Sequence, residues 1–321
     1  MFPETLTGRA TPSATTRTIA RPLASPTAIA PKRDASRINA TRTHWSFTCQ
    51  FRQRCDQDYD GRRYDRCSLV FGEGRSYHAD AVFERGRQRL NDAFASRVKR
   101  NGPPQRIRSI DEEQVDRLSQ KLPASYIAFL LEFGFGTYFD GLYRMADPKD
   151  FYPILSMILK GDKDLSHKDC HVLAHNAFGF LWIWSERHGV IEIDTPSQMV
   201  FSYSLARTDF REQMQLDDRT RNLDKEIVSV LPRDKDDADY SDVNDEPMFD
   251  ACVEAYGTPS VDECFGFFPA LAFAGVFSEK RHVGSIKRVD AMTHYAFLAQ
   301  LGTFYLTKLG PGGYEAVRPI G

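Results

Sequence analysis

The 321 residues are 41% hydrophobic and 27% charged, with a formal net charge of −2, the balance of a globular chain rather than a fibrous or charge-extended one. No stretch approaches the roughly 18 unbroken apolar residues of a membrane helix, and no compact apolar core of a secretory signal is present near Met1. Six cysteines at irregular spacing make no disulfide framework, so a reducing compartment, the cytoplasm, is expected.

Residues 1–78 read as a poorly structured extension. Met1 to Arg42 is rich in Thr, Ser, Ala, Pro and Arg and poor in acids and large apolar side chains, a composition that predicts disorder and is shared with organelle transit peptides. From Trp45 to Tyr77, aromatics and arginines alternate with Cys49, Cys55 and Cys67 without a period. With His44 or His78 these thiols could be drawn as a zinc site, but their spacing matches no compact knuckle. The arginines from Arg52 to Arg75 could meet nucleic acid through charge alone, and no RNA-recognition signature accompanies them.

A first folded unit is expected over residues 79–210. Ala79 to Lys99 has helical spacing through Val82, Phe83, Leu90, Phe94 and Val98, and Asn101-Gly102-Pro103-Pro104 breaks it. Ser109 and Glu112 predict a capping box for a second helix. Leu122-Pro123 opens a third, apolar nearly all round from Tyr126 to Phe133 and therefore buried, with Gly134 and Gly136 as terminator and turn. Asp147-Pro148 starts a fourth, carrying Phe151, Ile154, Leu155 and Ile158. His171 to Trp184 then reads as paired strands around an Asn176 to Gly179 turn, followed by strands at Val190 to Asp194 and Met199 to Tyr203. Helices followed by a small antiparallel sheet give an α+β class.

The charged stretch Leu205 to Asp224 reads as a connector to a second unit, residues 222–321. That unit contains the acidic run Asp234 to Glu246, a short helix from Met248 to Tyr256 closed by Gly257, the segment Asp262 to Ala274, and a helix capped by Asp290 and running to Leu301.

Two groups of motifs now carry a resemblance. Leu122-Pro123, Gly134-Phe135-Gly136, Asp140-Gly141, Asp147-Pro148 and Ala177-Phe178-Gly179, with Trp182 and Trp184, stand in the order seen in the GAD-like domain, which the first unit resembles. Phe249-Asp250-Ala251, Tyr256-Gly257, Asp262 to Phe267, Pro269 to Ala272 and Gly275 resemble the C-terminal domain of type VI secretion immunity proteins that neutralise a DNase effector. The run Lys287 to Gln300 fits the same pattern. Cys264 and Ala274 depart from it, where Ile and Gly are usual. The resemblance covers about Leu90 to Leu301. It implies a non-enzymatic protein that binds a cognate toxin, a nuclease, stoichiometrically and without a cofactor, a membrane or a specific nucleic acid.

The candidate partner-binding residues are Asp234, Asp236, Asp237, Asp239, Asp242, Asp245 and Glu246. A nuclease carries positive charge to hold phosphates, and a negative surface is steered to it and covers its groove. A solvated loop is the plain alternative for such a run. Chemical alternatives are a metal site at His167, His171 and His175, the latter two expected on one face of a strand, and a thiol site at Cys264 with His282 or His294. Either would make the chain an enzyme, while the basic N-terminal stretch would make it a nucleic-acid-binding module. Gly134-x-Gly136 lacks the helix N-terminus and the Lys-Ser/Thr that a phosphate loop needs.

Overall fold

Helix-forming segments and strands alternate along a computed structural model that describes residues 91–206, 222–310 and 313–321. The readings placed on residues 1–78, the 79–90 part of the first expected helix with Val82, Phe83 and Leu90, and most of the 205–224 connector lie outside the described residues. Helix α1 (Asp92–Asn101) is capped by Asn91, whose side chain accepts from the Phe94 amide. Strand β1 (Gln105–Arg108) leads to α2 (Glu112–Ser119) and α3 (Ala124–Phe133).

The capping box of α2 is formed by Asp111 and Gln114, not by Ser109 and Glu112. The Gln114 amide donates to Asp111 Oδ1 and the Asp111 amide donates to Gln114 Oε1. Gln114 Nε2 also donates to the buried Asp147 carboxylate at 2.7 Å, a bond that a glutamate at this position could not make. Gly134 ends α3 as read, with φ 72°. Gly136 does not turn; it lies inside β2 (Phe135–Tyr138), paired with Arg106. A Cβ there would sit 2.6 Å from the Gln105 carbonyl oxygen, so its lack of a side chain lets β1 approach.

The remaining elements follow in order. They are β3 (Tyr143–Met145), α4 (Pro148–Ile158), β4 (Cys170–Asn176), β5 (Phe180–Ser185), β6 (Gly189–Asp194), β7 (Met199–Ser202) and α5 (Tyr203–Ala206). Past the connector come α6 (Leu223–Glu226), α7 (Lys235–Ala238), α8 (Phe249–Tyr256), β8 (Glu263–Phe267), α9 (Leu271–Ala274), β9 (Ile286–Asp290), α10 (Ala291–Leu298), β10 (Tyr305–Gly310) and β11 (Gly313–Pro319).

Helices and sheet mix in the expected α+β manner, but the main sheet is not small. Among the described residues it has nine strands in the order β1-β2-β3-β4-β5-β6-β7-β10-β11, and β8 and β9 form a separate two-stranded sheet. Every adjacent pair in the large sheet is antiparallel except β7 and β10, which run parallel with Val200 opposite Leu306. The β10–β11 hairpin comes from the far end of the chain, so its addition beside β7 is not visible as a local pattern.

Each face of the sheet carries its own core. On β5, Trp182 and Trp184 face a cluster with Phe94, Phe129, Tyr240 and Phe265; Leu181 and Ile183 face one with Phe151, Leu155, Val200 and Tyr295. Both clusters take residues from each side of the connector. Asp224 reinforces this, because its carboxylate accepts from the Ser125 amide at 2.9 Å and caps α3, whose own N-cap, Pro123, has no side-chain acceptor.

Candidate partner-binding face

The acidic run does not form one continuous negative surface. Asp234 caps α7 by accepting from the Asp237 amide, and Asp237 accepts from Arg233 Nη2 at 2.6 Å. Arg97 of α1 lies near both carboxylates; burial lowers its pKa while Asp237 and Asp234 act the other way. Asp239 accepts from the Phe249 amide at 3.0 Å and holds the start of α8; burial pushes its carboxyl up to about 6. Asp242 Oδ1 accepts from the Asn244 and Glu246 amides, which folds the loop back on itself. Asp245 has φ 66° and lies 3.9 Å from Arg281 Nη2. Five of the seven residues, Asp234, Asp237, Asp239, Asp242 and Asp245, thus take part in shaping the segment, while Asp234, Asp236 and Glu246 are exposed.

One buried polar cluster ties this region to the sheet, and a second ties the segment leading into β8 to it. The Tyr240 hydroxyl lies 2.8 Å from Ser197 Oγ and donates to the Asp194 carboxylate, which burial raises to about 6. Arg144, 1% exposed, donates to the carbonyls of Gly141, Pro259, Val261 and Glu263. It lies at a cleft bordered by Asp140 and Thr258, and its donors are already engaged by those carbonyls. Neither cluster was visible in the sequence, because each joins residues 40 or more positions apart.

The sequence reading also passed over a set of exposed aromatics. Phe268, Phe273, Phe277 and Phe297 are 40%, 70%, 60% and 46% exposed. The first three lie in the connection between β8 and β9. The available signal was the run Phe267 to Phe277, too rich in phenylalanine to bury entirely beside Ala270 and Leu271.

The histidines expected on one face of β4 lie on opposite faces. His171 pairs with Trp184 and His175 with Leu181, three residues apart on an unbroken β5, because a bulge between Val172 and Ala174 slips the register. His171 Nε2 lies 2.7 Å from Glu186 Oε1. His175 Nδ1 lies 3.1 Å from the Tyr295 hydroxyl; burial, with Arg144 nearby, lowers its pKa to about 3 and keeps it neutral. His167 stands apart in the preceding loop. Among the described residues no group of three or more His, Cys, Asp or Glu is placed to hold a metal ion. The Cys264 thiol is fully buried and pushed up to about 12 by that burial, so it is protonated and inaccessible. His282 is engaged with Ser285 and His294 is stacked on Phe268. Among the described residues no helix is long and apolar enough to cross a membrane.

Comparison with known proteins matches both segments to families. Residues 92–197 match the GAD-like domain, and residues 229–302 match the family described as T6SS immunity protein Tdi1, C-terminal. No curated protein matches. Among solved structures, the chain is similar to the crystal structure of Atu4351 from Agrobacterium tumefaciens, at 25% identity and a TM-score of 0.59 over 70% of this chain and 96% of that one. The chain thus carries, in this order, a GAD-like domain and a domain matching the C-terminal domain of the type VI secretion immunity protein Tdi1.

Proposed function

We propose that the protein neutralises a cognate toxin, a DNase, by binding it stoichiometrically in the cytoplasm of the producing cell and covering its DNA-binding mouth. The observation that carries this reading is the match of residues 229–302 to the Tdi1 C-terminal domain. That same segment holds thirteen acidic and six basic side chains, a formal charge of −7. A nuclease needs a positive groove to hold phosphates, so a partner of this charge is drawn to the surface that DNA would occupy. Asp234, Asp236 and Glu246 are the exposed carboxylates that do the steering, while Asp237, Asp239, Asp242 and Asp245 hold the loop that presents them. We assign no catalytic residue and no cofactor. As a division of the sequence, 79–210 and 222–321 remain two units, built around shared cores.

The test is titration of the purified toxin's DNA cleavage with this protein, alongside growth of cells expressing the toxin with and without it. Loss of cleavage at one equivalent, with a 1:1 complex by light scattering, is the expected result. Inactivation well below one equivalent would show turnover and overturn the stoichiometric reading in favour of an enzyme.

A further inference from the structure

The connection from Phe268 to Ser285 spans one end of the β8–β9 hairpin, where Phe267 pairs with Ile286. Ala270 and Leu271 turn inward and anchor it, while Phe268, Phe273 and Phe277 turn outward. Phe268 and Phe277 each lie against neighbouring side chains, while Phe273 is 70% exposed. His294 stacks on Phe268 with centroids 6.0 Å apart and lies tilted against Phe297 at 6.2 Å, so these three rings form one row. The row depends on Gly266, where any Cβ would lie 2.7 Å from His294 Nε2. The Lys287 ammonium sits 4.9 Å above Phe268, and the Arg281 guanidinium 6.0 Å from the Phe277 ring. Arg281 then fixes this connection to the acidic loop: its carbonyl accepts from the Val243 amide and its Nη2 donates to the Asp242 carbonyl, both at 2.8 Å. The aromatic connection and the acidic loop are therefore braced against each other through Arg281.

We infer that this face, with Phe268, Phe273 and Phe277 at its centre and the acidic loop at its edge, is the surface that grips the toxin. The inference rests on the immunity reading above and adds to it the place of contact. Large aromatics exposed together are what interface centres use, since a ring has few side-chain torsions to lose on binding and its desolvation is favourable. Charge selects the occupant. A second copy would bring one segment of charge −7 against another, and an anionic lipid surface is repelled in the same way. A basic protein with an apolar recess is complementary in both respects, and a nuclease carries such charge.

The experiment measures binding kinetics of the full chain to the toxin polypeptide, identified by its lethality when expressed without this protein and used in a catalytically inactivated form. Phe273→Ser with Phe277→Ser is expected to weaken affinity at least 100-fold, mainly through faster dissociation, with an unchanged circular dichroism spectrum. Phe273→Ser alone, at the most exposed of the rings, is expected to cost at least tenfold and stands in for the double variant if that one misfolds. Affinity within threefold of the unsubstituted chain overturns this face and leaves the immunity reading standing. Self-association that these variants abolish, with toxin affinity intact, assigns the face to a second copy and also overturns it. An unsubstituted chain that neither binds the toxin nor protects cells overturns the immunity reading itself, and the contact face with it.

Discussion

The Tyr240 hydroxyl donates to Asp194, at 3.2 Å from Oδ2 and 3.4 Å from Oδ1, across 46 positions of sequence and with both side chains buried. Tyr240 sits in the acidic run and Asp194 at the end of a sheet strand, so this contact fixes the proposed binding loop to the sheet.

The contact carries a pH signature. Burial raises the Asp194 carboxyl to about 6, above its unfolded value of 3.8. A raised carboxyl contributes stability while it is protonated and loses it as pH rises from about 4 to about 6. Asp194→Asn is uncharged throughout. Its stability relative to the unsubstituted chain is expected to improve by on the order of 2–3 kcal/mol between pH 4 and pH 7.5. Urea unfolding at the two pH values measures the difference, and a pH-independent gap would remove Asp194 as a titrating group. His175, lowered to about 3, acts in the opposite sense, losing stability as pH falls below 6.5, so the comparison must be made between variants.

Arg144 joins β3 to the start of β8 and the loop before it through three carbonyls, those of Pro259, Val261 and Glu263, and bonds a fourth at Gly141. Arg144→Met leaves those acceptors without their donor at an apolar side chain. A loss on the order of 3–5 kcal/mol is expected, since each unsatisfied buried group costs about 1–3 kcal/mol. Faster proteolysis at residues 258–263 is the accompanying sign. A loss below 1 kcal/mol would mean that water replaces the guanidinium.

Gly179 turns β4 into β5 with φ 96°, and a Cβ there would meet Thr195 Oγ1 at 2.7 Å and Tyr295 Cε1 at 2.9 Å. Gly179→Ala combines backbone strain with a clash against two buried side chains. Destabilisation on the order of 2–4 kcal/mol is expected in thermal or urea unfolding.

A thiol raised to about 12 and fully buried does not react at neutral pH. Cys264 is expected to resist iodoacetamide at pH 8 in the native protein and to be modified in urea, as read by peptide mass. Cys264→Ser is expected to protect cells from the toxin as well as the parent does. Loss of protection by a folded Cys264→Ser protein would revive the thiol alternative.

The exposed carboxylates act at long range. Asp234→Asn, Asp236→Asn and Glu246→Gln together are expected to slow association with the toxin about tenfold at low salt, and to flatten its dependence on ionic strength. Dissociation should change little. Equal on-rates at 20 mM and 300 mM salt in the parent would leave the acidic loop as a solvated turn.

Much of the helical structure was legible because its signals are local. Pro123 and Gly134 bracket α3, Asp147-Pro148 starts α4 and Asp290 caps α10, each within one turn of the helix it marks. Misreadings arose where two local signals competed or a register changed. Ser109 with Glu112 reads as the capping box of α2, whereas Asp111 caps it with Gln114, which is buried beside Asp147. The bulge in β4 separated His171 from His175, which a strict period of two places together.

By itself the sequence determined the class of structure and the order of its helices, and its motifs pointed to the family, because caps, periodicity and glycine turns act over a few residues. Only the tertiary structure decided which acidic residues meet solvent, which face each histidine occupies and which phenylalanines remain uncovered. Those outcomes depend on groups far apart in the chain, Asp194 with Tyr240 and Arg281 with Asp242. Burial and desolvation, which no local pattern encodes, select among the placements that local propensity allows.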